Sequence, residues 1–165
     1  MPYCQVGPTT EISISPFHRH LFLSTSVDGY VKLRSTMQER ALMSTGNVRG
    51  IIRAGDGLYA ADWSKVRPLV FAVAGDAGAV RIHDLGSKRP MLPIITLKTP
   101  AVSSSADRAR ILALQFNHKQ RDLLACGDAA GLVHVWQLSW ALSNATPRET
   151  EELEDFILHA QIDTG

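Results

Sequence analysis

Three stretches of the chain carry the same order of apolar and polar positions. ISPFHRHLFLSTSVDGYVKLRS from Ile14, WSKVRPLVFAVAGDAGAVRIHD from Trp63 and FNHKQRDLLACGDAAGLVHVWQ from Phe116 align without a gap, at offsets of 49 and 53 residues. Each holds an apolar residue, a polar turn, an apolar run, a small-residue turn ending in glycine, and an alternating segment. The runs Leu21 to Leu23, Leu69 to Ala74 and Leu123 to Cys126 are nearly all apolar, as for strands covered on both faces. After them, Val31/Leu33, Val80/Ile82 and Val133/Val135 point one way while basic or histidine residues point the other, to a less packed face. Between these two strands stand Gly29, Gly78 and Gly131, where a tight hairpin requires a positive φ.

First strands are predicted at Ile12 to Ile14, Tyr59 to Trp63 and Ile111 to Phe116, and fourth strands at Ala41 to Ser44 and Ile94 to Lys98. Four strands per unit at this period predict an all-β fold, a propeller fragment of about three four-stranded blades over 11–45, 58–98 and 110–140. No 3.6-residue period runs inside the repeat, which excludes helical solenoids. The variable segments 46–57 and 99–108 read as loops, the second holding a Ser-Ser-Ser run. Residues 1–145 thus form a partial propeller and 146–165 a tail.

The tail has its own signature. Thr146, Pro147 and Glu149 read as N-cap, first helical position and the closing acid of a capping box. Leu153, Phe156, Ile157 and Ala160 then form one apolar stripe, with acids crowding the first turns. A short acidic helix is expected, lying outside the last blade or solvated, or else serving as a docking helix through Phe156.

Composition adds little: 45% hydrophobic and 20% charged residues suit a globular domain. No apolar run reaches the roughly 20 residues of a membrane span, and the first residues lack a signal-peptide pattern, so no membrane partner is expected. The net charge of +1 hides a split: residues 1–146 carry 16 Lys/Arg and 10 Asp/Glu, and residues 147–165 one Arg and six acids. The basic body suits an acidic partner or its own tail; so diffuse a charge argues against nucleic acid. Cys4 and Cys126 are far apart and read as free thiols.

Candidate chemistry is sparse. His18 and His20 flank Arg19 in a turn with no third ligand nearby, so no metal is expected; His83 and His134 read as strand-tying residues. No nucleophile elbow, P-loop or dinucleotide fingerprint is present, so neither an enzyme nor a cofactor is expected. Arg19, Lys65, Arg67, Lys119 and Arg121 fall in the same turn of successive blades and form a basic band on one rim. Trp63 and Trp136 read as core and Trp140 as an exposed contact, so the candidate partner-binding residues are this band, Trp140 and Phe156.

The third unit ends in GLVHVWQL, which resembles the closing strand of a WD40 repeat, with His83-Asp84 at the same place in the second. SPFHRHLFLSTSVDGYVKL, WSKVRPLVFAVAGDAGAVRIHDL and LLACGDAAGLVHVWQLS followed by PRETEELE resemble the WD-repeat dynein intermediate chains, and among these the type found in cytoplasmic dynein 2, the intraflagellar-transport motor. The resemblance covers about residues 11–155, departing at Ser64-Lys65 and Asn117-His118 where Ser-Pro is usual. It implies a non-catalytic scaffold subunit whose propeller docks on the dynein heavy chain, acting in retrograde transport and cilium assembly, in the cytoplasm, cytoskeleton and cilium. Light chains would bind only through an N-terminal segment not seen in this sequence. The alternative is a WD40 adaptor of another complex, such as a ubiquitin-ligase substrate receptor. Three blades do not close a ring, since a closed propeller of this type needs about twice as many residues; a fragment of a longer propeller is therefore expected.

Overall fold

A computed structural model describes residues 7–45, 56–100 and 109–162, with the side chains of 161 and 162 left aside. Cys4, most of the loop at 46–57 and nearly all of the serine-rich loop lie outside the described residues. Among the described residues, three antiparallel sheets follow one another in sequence order. The first holds β1 (Thr9–Ile14), β2 (Leu21–Ser26), β3 (Val31–Ser35) and β4 (Met43–Thr45), in that order. The second holds β5 (Leu58–Trp63), β6 (Val70–Gly75), β7 (Ala79–Asp84) and β8 (Ile95–Lys98). The third holds β9 (Ile111–Phe116), β10 (Leu123–Asp128) and β11 (Val133–Gln137). Among the described residues two helices follow, α1 (Trp140–Ser143) and α2 (Glu149–Ile162).

The propeller-type reading holds, and the repeat reaches below the level of strands. Gly29, Gly78 and Gly131 have φ of 82°, 60° and 85°, and each amide donates to the carbonyl three residues back, as in Gly78 N to Gly75 O at 3.2 Å. Ser15, Ser64 and Asn117 each use a side-chain oxygen to accept the amides two and three residues on, fixing the turn between first and second strands. Each first strand also shifts register at one position, Thr10, Tyr59 or Leu112, again at offsets 49 and 53.

Two cores lie between consecutive sheets. Leu21, Leu23, Val31 and Leu33 of the first sheet meet Trp63, Phe71 and Val73 of the second; Val70, Ala72, Val80 and Ile82 on its other face meet Ile111, Phe116, Leu124 and Cys126 of the third. The second sheet is therefore enclosed on both sides. This corrects the expectation of a less packed face on its third strand: Arg81 and His83 are buried as well.

Two further expectations need correction. The third unit has three strands, not four, because after Gln137 the chain turns through Ser139 into α1. The helix begins at Glu149, whose carboxylate accepts the Thr146 amide at 3.2 Å as the capping box requires. It does not lie on the last blade. Leu153 and Ile157 are buried in the core between the first and second sheets, beside Leu21, Leu33, Trp63 and Leu85, and Phe156 and Ala160 pack against it. A stripe of this kind goes where apolar surface is open, and the hydrophobic effect does not require that site to be near in sequence.

His83 stacks on Phe71, ring centres 5.0 Å apart and 3° from parallel, with Nδ1 3.5 Å from Pro90 O. Burial, seconded by the charge of Arg81 and opposed by Pro90 O, pulls its pKa down to about 4. The unfolded chain takes a proton near pH 6.5 while the folded one does not, so stability falls as pH drops from there towards 4. His83→Phe, which keeps the stack, is expected to remove about 2 kcal/mol of the stability lost between about pH 7.5 and 5. Urea midpoints of the two proteins across that range test this; parallel curves would refute it.

Candidate interaction rim

The turns between first and second strands stand on one edge of the three-sheet array, and all five cations of the expected band lie in them. Their surroundings divide them. Arg19, Lys119 and Arg121 are exposed; Arg19 Nε donates to His20 Nε2 at 2.9 Å, and His20 Nδ1 lies 2.9 Å from Thr36 Oγ1. Lys65 is half-buried, with Nζ 2.7 Å from Asp62 Oδ1. Arg67 is committed inward: Nε donates to Glu149 Oε1 at 2.8 Å, Nη2 to Asp84 Oδ2 at 3.1 Å and Nη1 to Ala141 O at 2.8 Å. Burial works against its charge, but the bonds and charges of Glu149 and Asp84 outweigh that and raise its pKa. The basic body thus meets its own acidic tail here.

Trp140 is 76% exposed on the short helix that carries Ala141, so the Arg67 contact ties that helix, and the tryptophan with it, to the second sheet. Phe156 is half-buried against the core. Of the seven residues expected to face a partner, Arg19, Lys119, Arg121 and Trp140 are presented on the surface and Lys65 partly so. Arg67 and Phe156 are held inside, because both fasten α2 to the sheets.

Asp62 was not singled out by the sequence pattern. It lies on β5, only 8% exposed, and joins all three sheets: Oδ2 accepts the Phe116 amide of β9 at 2.8 Å, and Oδ1 faces Ser13 Oγ of β1 at 3.4 Å and Lys65. Ser13 Oγ in turn accepts the Trp63 amide at 3.1 Å. The available signal was an acid inside the otherwise apolar strand Leu58-Tyr-Ala-Ala-Asp-Trp63, a residue buried in such a place only when paired.

The two strand histidines do local work. His134 Nε2 lies 2.9 Å from Asp128 Oδ2, and Asp128 Oδ1 accepts the amides of Ala130 and Leu132, fixing the turn around Gly131. That histidine first, and then the Leu132 amide, lower the carboxyl's pKa. Cys126 is buried, and burial pushes its thiol up to about 11. Among the described residues no three His, Cys, Asp or Glu side chains form a metal-ligating group, and no helix is long and apolar enough to cross a membrane.

No family model matches the chain. It is 42% identical over 160 residues to mouse cytoplasmic dynein 2 intermediate chain 2, covering 96% of this chain and 27% of the mouse protein. The human protein of that name is 42% identical over 148 residues, 90% of this chain and 25% of its own. Cytoplasmic dynein 1 intermediate chain of Drosophila melanogaster is 26% identical over 152 residues, 87% of this chain and 20% of the fly protein. The chain therefore spans about a quarter of the length of the dynein 2 relatives it matches.

Proposed function

The chain is a homologue of the dynein intermediate chains, and from that premise we propose that its sheets act as a non-catalytic docking surface in a dynein 2 complex. The observation that carries this reading is the 42% identity extending over 96% of the chain, all three sheets included. The partner is the dynein heavy chain, and the contact is the rim carrying Arg19, Lys119 and Arg121, with Trp140 as its aromatic anchor. Exposed cations on one edge steer an acidic face into place, and an exposed tryptophan has the size to contribute most of the contact energy. The setting is retrograde transport within the cilium and the assembly of cilia; the rigid array orients the partner, and no chemistry is performed on it.

Affinity capture from ciliated cells tests this. The tagged chain is expected to recover dynein 2 heavy chain, and the triple variant Arg19→Glu/Lys119→Glu/Arg121→Glu to lose it while keeping the wild-type melting temperature. Recovery of cullin-type adaptors in place of heavy chain, or undiminished capture by the triple variant, would overturn the reading.

A further inference from the structure

A hydroxyl residue followed by proline occurs at three places in the chain, Ser15-Pro16, Thr99-Pro100 and Thr146-Pro147. Proline biases the residue before it towards extended backbone, the shape in which a kinase cleft reads its substrate. A kinase that selects this dipeptide also needs a hydroxyl free of other bonds and an accessible flanking stretch. The fold treats the three hydroxyls differently.

Ser15 is 5% exposed, and its Oγ accepts the amides of Phe17 and His18, both at 3.3 Å, in the turn between β1 and β2. Thr99 is 2% exposed, and its Oγ1 donates to Gly78 O at 2.7 Å just beyond β8. Neither reaches a kinase cleft while its sheet stays folded. Thr146 is the opposite case: residues 145–148 are all exposed between α1 and α2, and the Thr146 hydroxyl has no hydrogen-bond partner among the described residues. The segment is nevertheless held in place. Arg67 Nη1 donates to Ala141 O on one side of it, and the Thr146 amide donates to Glu149 Oε1, the oxygen that also takes Arg67 Nε. Arg67 and its partner Asp84 belong to the second sheet, which is enclosed on both sides, so Thr146 is anchored away from the open faces of the first and third sheets.

We infer that Thr146 is a phosphorylation site for a proline-directed kinase. Its Oγ1 attacks the γ-phosphorus of a nucleoside triphosphate; the new P–O bond forms as the bond to the nucleoside diphosphate breaks, and the hydroxyl proton passes to the kinase's base. A group of about −1.5 to −2 charge then stands where a neutral hydroxyl stood. Because Arg67 binds both Ala141 and the carboxylate that takes the Thr146 amide, this charge lies close to the short helix that presents Trp140. The consequence rests on the docking reading proposed above: a rim that receives an acidic face beside Trp140 repels that face once phosphorylated, and the modification releases the partner.

Two measurements test the site and its consequence separately. The whole folded chain is incubated with a proline-directed kinase and ATP, and the phosphate is located by mass spectrometry. Wild type is expected to take one phosphoryl group, at Thr146. Thr146→Ala is expected to take none while keeping the wild-type melting temperature, since the hydroxyl bonds nothing, and Thr146→Ser to be labelled again. An unlabelled Thr146, or label shared with Ser15 or Thr99, would overturn the assignment. The phosphorylated chain and its phosphatase-treated counterpart are then compared in the heavy-chain capture. Phosphorylation is expected to weaken capture roughly tenfold, and kinase-treated Thr146→Ala to capture as well as untreated wild type. Equal capture by both forms would overturn the consequence alone. Capture by neither would sink the docking reading and the consequence with it, while the site is decided by the labelling.

Discussion

Replacing Arg67 with methionine is expected to cost the fold about 3–5 kcal/mol, the scale on which removing one partner from a buried ion pair is felt. The Glu149 side chain is 2% exposed, and the bonds it accepts from Arg67 and Thr146 all fall on Oε1, while its buried Oε2 has no hydrogen-bond partner among the described residues. Without the guanidinium, that carboxylate stays beneath the helix it starts, close to Asp84 and with no cation. Chemical denaturation is expected to show the loss, and the double variant Arg67→Met/Glu149→Gln to recover most of it, because glutamine still accepts the Thr146 amide. Equal losses in single and double variants would show that the stem of Arg67, and not its charge, holds the helix.

The second large effect is expected at Asp62. Asp62→Ala leaves the Phe116 amide without its acceptor and Lys65 without its counter-charge, and removes the link between sheets. An expected loss of about 3 kcal/mol combines an orphaned buried donor with a broken, partly screened ion pair. Asp62→Asn keeps an oxygen for the amide and is expected to lose about a third as much. Hydrogen exchange at the Phe116 amide locates the effect: it should quicken in the alanine variant and stay slow in the asparagine one. Unchanged protection in both would mean that the apolar cores alone hold the sheets together.

The repeat made most of the fold legible, since period-two alternation, the glycine between second and third strands and the capping box are local rules that local residues satisfy. What escaped is what depends on position in the array. Arg81 and His83 alternate with Val80 and Ile82 as surface residues would, yet they are buried because another sheet lies on that side too. The stripe of Leu153 and Ile157 announced an apolar face without an address, and the missing fourth strand of the third unit reflects the chain turning into α1. On the rim, the sequence placed Arg19, Lys119, Arg121 and Trp140 at the surface. It could not distinguish them from Arg67, whose difference lies entirely in Glu149, far along the chain.

The position of α2 has a consequence for synthesis. The core between the first two sheets is completed only when Leu153 and Ile157 arrive, so those sheets wait for residues made long after them. Contacts between residues far apart along a chain raise contact order and slow folding. While the ribosome is still making the tail, the growing chain exposes an incomplete core, the condition in which chaperones are needed. A premature stop before the tail would leave that vacancy permanent, and degradation of such truncated products would follow from packing alone.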